Sequence, residues 1–215
     1  MNLEEVYNYL GTPSGLREHM LTVAGLALLI KECWNGEVID WTAVITAALI
    51  HDVGNVIKFD LVNCPELLGS ELPRLEYWRI EQKRLIEKYG SDDHDATDKM
   101  LQELNVSESV RAMIRAKSFG NAKETASSGD WLVKILLYCD LRVLPGGVGT
   151  LDERVDEIKG RLVKYSRRPD FLDLVAACKF IEQQIQMSMT ESLHTVITNV
   201  KASIHSEELL YFKIN

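Results

Sequence analysis

Apolar residues recur along most of this chain at intervals of three and four positions, which is the spacing of a helix face turned towards a core. The alternation of apolar and polar residues that marks a half-buried strand is hard to find between turn residues. The pattern therefore predicts an all-α fold. With 215 residues and no repeat, low-complexity tract or convincing linker, we expect a single domain over residues 1–215.

Turn and capping residues suggest where the helices begin and end. The first long helix is expected from about Ser14 to Gly36, and the second from a cap at Asp40 to His51, with Gly54 as a left-handed stop. Further helices are expected over residues 74–88, 95–104, 107–117, 131–143, 150–165 and 170–194, with residues 120–129 as a polar connection and 145–147 as a turn.

Charge and hydropathy narrow the class of function. The chain carries 24 basic and 32 acidic residues, a net charge of -8, which argues against general affinity for nucleic acid but leaves a small phosphorylated substrate open. No apolar run approaches the roughly 18 residues that cross a bilayer, and the first residues lack a basic and apolar signal segment. We therefore expect no membrane partner and a cytoplasmic location.

Polar residues interrupt three of the apolar helix faces. His19 shares a face with Val23, the pair His51-Asp52 ends the apolar run 47–50, and Asp140 lies on the apolar side of its helix. A buried carboxylate needs a cation, a metal ion or a hydrogen-bond cluster. Nitrogen and oxygen ligands together suit a borderline or hard divalent ion.

The order of these residues resembles the H…HD…D signature of the HD-domain superfamily. The resemblance covers about residues 15–165 and leaves 166–215 as a C-terminal helical extension. It implies an HD-domain helical bundle in which His19, His51, Asp52 and Asp140 hold one divalent ion, with Mn, Mg, Co, Ni, Fe and Zn not distinguished. The implied activity is hydrolysis of a phosphate ester or phosphoanhydride in a small molecule, foremost a nucleotide, by metal-activated water.

Further segments resemble the same family, and two positions depart from it. Residues 94–101 resemble its middle histidine helix, which implies a catalytic role for His94 beside Asp52. Lys117 stands near the place of a second-metal histidine, so the second metal site is incomplete. Asn55 stands where members often carry a lysine or a glutamate that helps to activate water, and an amide cannot act as a general base.

Phosphate binding needs positive charge close to the metal. Arg17, Lys58, Lys117 and Arg142 lie within a few residues of the segments that carry the metal set or His94, and we expect them to bind substrate. Each has an alternative as a solvated surface cation. We expect Lys117 to take over the charge of a missing second metal.

Two other functions are compatible with the same residues. One is a non-catalytic, metal-binding regulatory HD module, which the amide at Asn55 favours. The other is a di-iron oxygenase on the HD scaffold, which Lys117 in place of a histidine disfavours.

Overall fold

The computed structural model describes residues 1–161, 166–198, 209 and 212–214, and over this part of the chain the fold is all-α apart from one short hairpin. The predicted fold class is confirmed. The helices are α1 Leu3–Leu10, α2 Ser14–Glu32, α3 Trp41–Ile50, α4 Leu75–Tyr89, α5 Asp93–Glu103, α6 Glu108–Ala116, α7 Ala122–Ser127, α8 Trp131–Arg142, α9 Leu151–Arg161, α10 Phe171–Met187 and α11 Leu193–Thr198. Short 3₁₀ segments cover Asn55–Lys58, Pro65–Arg74 and Phe119–Asn121, and strands β1 Val143–Leu144 and β2 Gly147–Val148 pair antiparallel.

Helices α2, α3 and α8 pack against one another and form the centre of the fold. Helix α3 is buried along most of its length, with seven consecutive buried residues, 44–50. On α2 the buried stripe Val23, Leu26, Ala27 and Ile30 has the three- and four-residue spacing that the sequence indicates. This packing brings the polar residues of three helices to one place.

The predicted caps at Asp40 and Thr150 are confirmed, whereas the N-terminal residues of α2 and α10 make no side-chain capping hydrogen bond. The Asp40 carboxylate accepts from the backbone N–H of Ala43 at 3.0 Å and so begins α3. Before α9, Thr150 and Glu153 form the expected capping box, with the Thr150 N–H donating to Glu153 and the Glu153 N–H donating to Thr150. Residues 162–165, the end of the helix predicted here, lie outside the described residues.

The prediction that Gly54 is a left-handed helix stop is wrong. Its φ is -86°, which any residue adopts, and α3 ends at Ile50. A glycine is needed here because a Cβ would lie 2.5 Å from Thr97 Oγ1 and 2.7 Å from the Thr97 nitrogen. Gly54 thus permits close approach between the turn after α3 and helix α5.

The predicted helix over 170–194 is also wrong in its length, because α10 ends at Met187. The Ser188 carbonyl accepts from Asn35 N–H, and the Thr190 N–H donates to the Cys33 carbonyl. These pairings with the chain beyond α2 use backbone groups that a continuous helix would need. The same contacts accompany the end of α2 at Glu32, short of Gly36.

Helices α1, α7 and α11 were not predicted as separate elements. Helix α1 begins with a capping box between Asn2 and Glu5 and ends at Gly11, whose φ of 65° favours glycine. Helix α7 lies within the polar connection 120–129 and packs against α10. In the described part of the chain, no helix is long and apolar enough to cross a membrane.

Candidate metal centre

Four side chains from three central helices converge on one point. His19 comes from the second turn of α2, His51 and Asp52 follow the last residue of α3, and Asp140 lies in the last turn of α8. Each offers one ligand atom, and these atoms all lie within 4.8 Å of one another. The structure therefore brings together the four residues predicted as metal ligands, which could hold a metal ion.

The imidazole and carboxylate groups face one another across this cluster. His19 Nε2 lies 3.1 Å from Asp140 Oδ1 and 3.8 Å from Asp52 Oδ2. His51 Nε2 lies 3.4 Å from Asp140 Oδ1 and 3.6 Å from Asp52 Oδ1. Both histidines thus direct the same ring nitrogen, Nε2, towards the carboxylates.

His51 is the most firmly placed ligand. Its Nδ1 lies 2.8 Å from the Ala48 carbonyl, which can only accept, so Nδ1 carries the proton in the neutral ring. The lone pair of Nε2 is then free to bind a cation. Among the described residues, His51 Nε2 is buried without a hydrogen-bond partner, although it lies 3.4 Å from Asp140 Oδ1.

Lys117 also reaches this cluster. Lys117 directly follows Ala116, the last residue of α6, and its side chain is only 8% exposed. The ammonium donates to Asp140 Oδ2 at 2.9 Å and to Asp52 Oδ1 at 3.3 Å. The predicted substrate-binding lysine therefore contacts two of the predicted metal ligands directly.

The charges stabilise one another in their ionised forms. Burial would raise the pKa of Asp52, but His51 and Lys117 outweigh it and hold that pKa well below its usual range. Burial acts in the same direction on Asp140, whose pKa Lys117 and the two histidines lower. Burial alone would lower the pKa of Lys117, whereas Asp140 and Asp52 raise it. The balance of these effects favours the ionised forms of Asp52, Asp140 and Lys117.

The donor set fits a divalent ion. Two imidazole nitrogens and two carboxylates form a mixed set that suits a borderline or hard cation, and four such ligands leave about two positions of an octahedron open. The orphaned Nε2 of His51 supports this fit, since a buried nitrogen acceptor without a partner costs free energy that a metal bond would recover.

The turn that carries Asp52 is fixed from two sides. The Gly54 N–H donates to Thr97 Oγ1 at 3.2 Å, and the Thr97 hydroxyl donates to the Asp93 carbonyl at 2.8 Å. On the other side, the buried Tyr7 hydroxyl donates to the Leu49 carbonyl at 2.6 Å. Sequence reasoning missed both positioning residues, because neither stands in a pattern that marks a partner so distant in the chain.

The other predicted site residues lie around this cluster or away from it. His94 is exposed in the first turn of α5 and does not belong to the ligand group. The half-exposed Lys58 pairs with Asp93 at 2.5 Å. It also lowers the pKa of Asp52, but less than His51 and Lys117 do, whereas burial and Asp140 raise that pKa. The Arg17 guanidinium donates to the Thr12 carbonyl at 2.6 Å.

Arg142 points to a different part of the molecule. Its guanidinium donates to Glu182 at 3.0 Å, to the Tyr138 hydroxyl and to the Gly149 carbonyl at 2.5 Å. It borders a surface cavity between α9, α10 and α11 that is also lined by His194. The structure therefore does not bring Arg142 to the metal cluster.

Comparisons of the chain with protein-family models, with curated proteins and with solved structures found no match. The fold and the site define an all-α protein with a His₂Asp₂ cluster that could hold a metal ion.

Proposed function

We propose that this chain is an HD-type, metal-dependent hydrolase of a phosphate ester or phosphoanhydride in a small molecule, with nucleotides as the first substrate class to test. The observation that carries the proposal is the convergence of His19, His51, Asp52 and Asp140 within 4.8 Å. Their order in the chain resembles the HD signature. A divalent ion bound there would lower the pKa of water and polarise a phosphoryl oxygen.

The residues of the site have separate tasks in this proposal. His51 is oriented by the Ala48 carbonyl and presents Nε2 to the ion. Asp52, whose pKa is held low, stays ionised and serves as a ligand rather than as a proton acceptor. Asn55 is buried and its amide takes up no proton, so His94 is our candidate for proton transfer.

Positive charge for the phosphate would come from Lys58 and Lys117. Lys58 is half-exposed, and among the described residues it forms one ion pair, with Asp93, so its ammonium can donate further hydrogen bonds. Lys117 is buried against both carboxylates. Arg17 and Arg142 each have protein partners, and we leave them outside the substrate-binding set.

Two observations favour a second candidate function, a metal-binding regulatory module without turnover. Lys117 already engages both carboxylates, and Asn55 supplies no base. In such a protein the ion would stabilise the fold or a partner-binding state and would perform no chemistry.

The test combines metal analysis with a substrate panel. Chelator-treated protein is reloaded with Mn²⁺, Mg²⁺, Co²⁺ or Ni²⁺ and assayed against nucleotides and simple phosphate esters. We expect one ion per chain, metal-dependent phosphate release, and loss of both in His51→Ala and Asp52→Ala. His194→Ala is the matched control, because His194 is exposed on α11 and lies outside the ligand group.

The outcomes separate the two candidates. A chain that binds one ion through His51 and Asp52 and releases no phosphate from any substrate supports the regulatory module. Full metal occupancy in both alanine variants contradicts the site itself.

A further inference from the structure

The ammonium of Lys117 lies where a cation is needed if no metal is bound. Asp52 and Asp140 point their carboxylates at one small, largely buried space, where two like charges repel strongly. Lys117 contacts one oxygen of each. Within the described part of the chain, no other lysine or arginine lies within ion-pair distance of either carboxylate.

The two oxygens of Asp140 face different partners. Oδ1 lies towards both imidazoles, at 3.1 Å from His19 Nε2 and 3.4 Å from His51 Nε2, whereas Oδ2 accepts from Lys117. On Asp52, Oδ2 lies 3.8 Å from His19 Nε2, whereas Oδ1 lies 3.6 Å from His51 Nε2 and accepts from Lys117 at 3.3 Å. An ion held by the histidines and these carboxylates would therefore lie close to the ammonium.

We propose that Lys117 is a built-in counter-cation that competes electrostatically with the divalent ion for Asp52 and Asp140. In the metal-free chain the ammonium offsets the charge of the carboxylate pair and keeps the pocket assembled. When an ion binds, the same ammonium repels it, so the lysine sets an upper limit on metal affinity. The inference rests on the metal site of the proposed function and adds a means of tuning its occupancy.

The position of Lys117 directly after α6 directs its side chain towards the carboxylates. The residue follows Ala116 with ψ of 100°, so the backbone leaves the helix there and the side chain runs inward rather than along the surface. A long aliphatic stem carries the ammonium to the carboxylates. Removing only the charge, as in Lys117→Met, keeps most of the stem and isolates the electrostatic effect.

The experiment measures metal binding and stability on the same proteins. Calorimetric titration of chelator-treated protein with Mn²⁺ gives the affinity, and thermal unfolding with EDTA or with excess Mn²⁺ gives the midpoint Tm. Lys117→Met should bind Mn²⁺ at least about tenfold more tightly than the parent, about 1.4 kcal/mol. With EDTA its Tm should fall below that of the parent, and Mn²⁺ should raise its Tm by more.

Two variants serve as controls. Lys117→Arg keeps the charge and should resemble the parent in Mn²⁺ affinity. Lys123→Met removes an exposed lysine that pairs with Asp173 on the surface and tests for a general effect of net charge. If Lys117→Met does not fold, Lys117→Gln, which keeps a hydrogen-bond donor without the charge, takes its place.

The outcomes are distinct from those that test hydrolysis. Equal or weaker Mn²⁺ binding in the uncharged variant overturns the inference, as does the absence of binding in both parent and variant. Binding that appears only in the variant supports it. A parent that binds metal without hydrolysing any substrate contradicts the proposed activity and leaves this inference intact.

Discussion

Gly54→Ala tests how firmly the turn beside Asp52 is held. The added methyl carbon would lie 2.5 Å from Thr97 Oγ1, 2.7 Å from the Thr97 nitrogen and 3.0 Å from the Asp93 carbonyl. The hydroxyl can rotate away, but the two backbone atoms cannot. Either α5 or the turn must therefore shift, and the hydrogen bond from Gly54 to Thr97 is lost with the shift.

The expected cost follows from this geometry. Overpacking in a well-filled interior costs about 1–3 kcal/mol, and the lost hydrogen bond adds about 1 kcal/mol. For a chain of this size each kcal/mol lowers Tm by roughly 2–4 °C. Because the shift moves Asp52, Mn²⁺ affinity should fall with stability, by about tenfold if the displacement costs about 1.4 kcal/mol of binding.

Denaturant unfolding and Mn²⁺ titration of the same protein give both quantities. Gly129→Ala is the matched control, since nothing lies within 4 Å of a Cβ at that glycine. Equal stability of Gly54→Ala and Gly129→Ala would contradict the predicted clash with Thr97. Loss of stability with unchanged Mn²⁺ affinity would show that the turn yields without moving Asp52.

Three further predictions concern residues around the site. Tyr7→Phe leaves the buried Leu49 carbonyl without its donor and should cost about 1–3 kcal/mol of unfolding free energy, measured with denaturant. Arg142→Met should destabilise the fold by a similar amount, by removing the donor to Glu182, and leave metal content unchanged by elemental analysis. The Tm difference between parent and Lys117→Met in EDTA should be constant from about pH 6 to 9. It should narrow in acid as the depressed carboxylates protonate, and in base only above about pH 10.4, because the folded lysine has a raised pKa.

The ligand set could be predicted because the order of the four residues resembles the H…HD…D signature, and because each of them interrupts or ends an apolar stripe. His19 and Asp140 stand where helical periodicity requires an apolar residue, and His51-Asp52 follows the most continuously apolar run of the chain. Local periodicity directs His19 and Asp140 to the core, and the apolar run before His51-Asp52 places that pair at the end of a buried helix. Helix starts with a side-chain cap could be predicted because their signal is also local: a capping residue such as Asp40 acts on its own helix.

The role of Lys117 could not be read from the sequence. Its place on the inner edge of α6 follows from periodicity, but its contact with Asp52 and Asp140 depends on how α6 packs against α3 and α8. Gly54 illustrates the same limit. Its sequence position suggests backbone freedom, whereas the structure needs its small size against Thr97.

The prediction that Arg142 binds substrate beside Asp140 conflicts with helix geometry. It stands two residues after Asp140 on α8, and two residues rotate a side chain by about 200° around a helix axis. The guanidinium therefore lies on the far side of α8, with Glu182. Within a helix, a spacing of two residues therefore argues against a shared site, whereas a spacing of three or four residues favours one.

The distance along the chain between His19 and Asp140, 121 residues, has a consequence for folding. Helix α2 can form early and locally, but its histidine meets the aspartate only after the chain between them has closed a long loop. A partly folded chain without α8 in place has no such pocket, so a bound ion selects native molecules. Each tenfold rise in free ion above its dissociation constant would then add about 1.4 kcal/mol to the unfolding free energy. The ion would therefore bind late in folding and link α2 to α8 after the two helices have packed together.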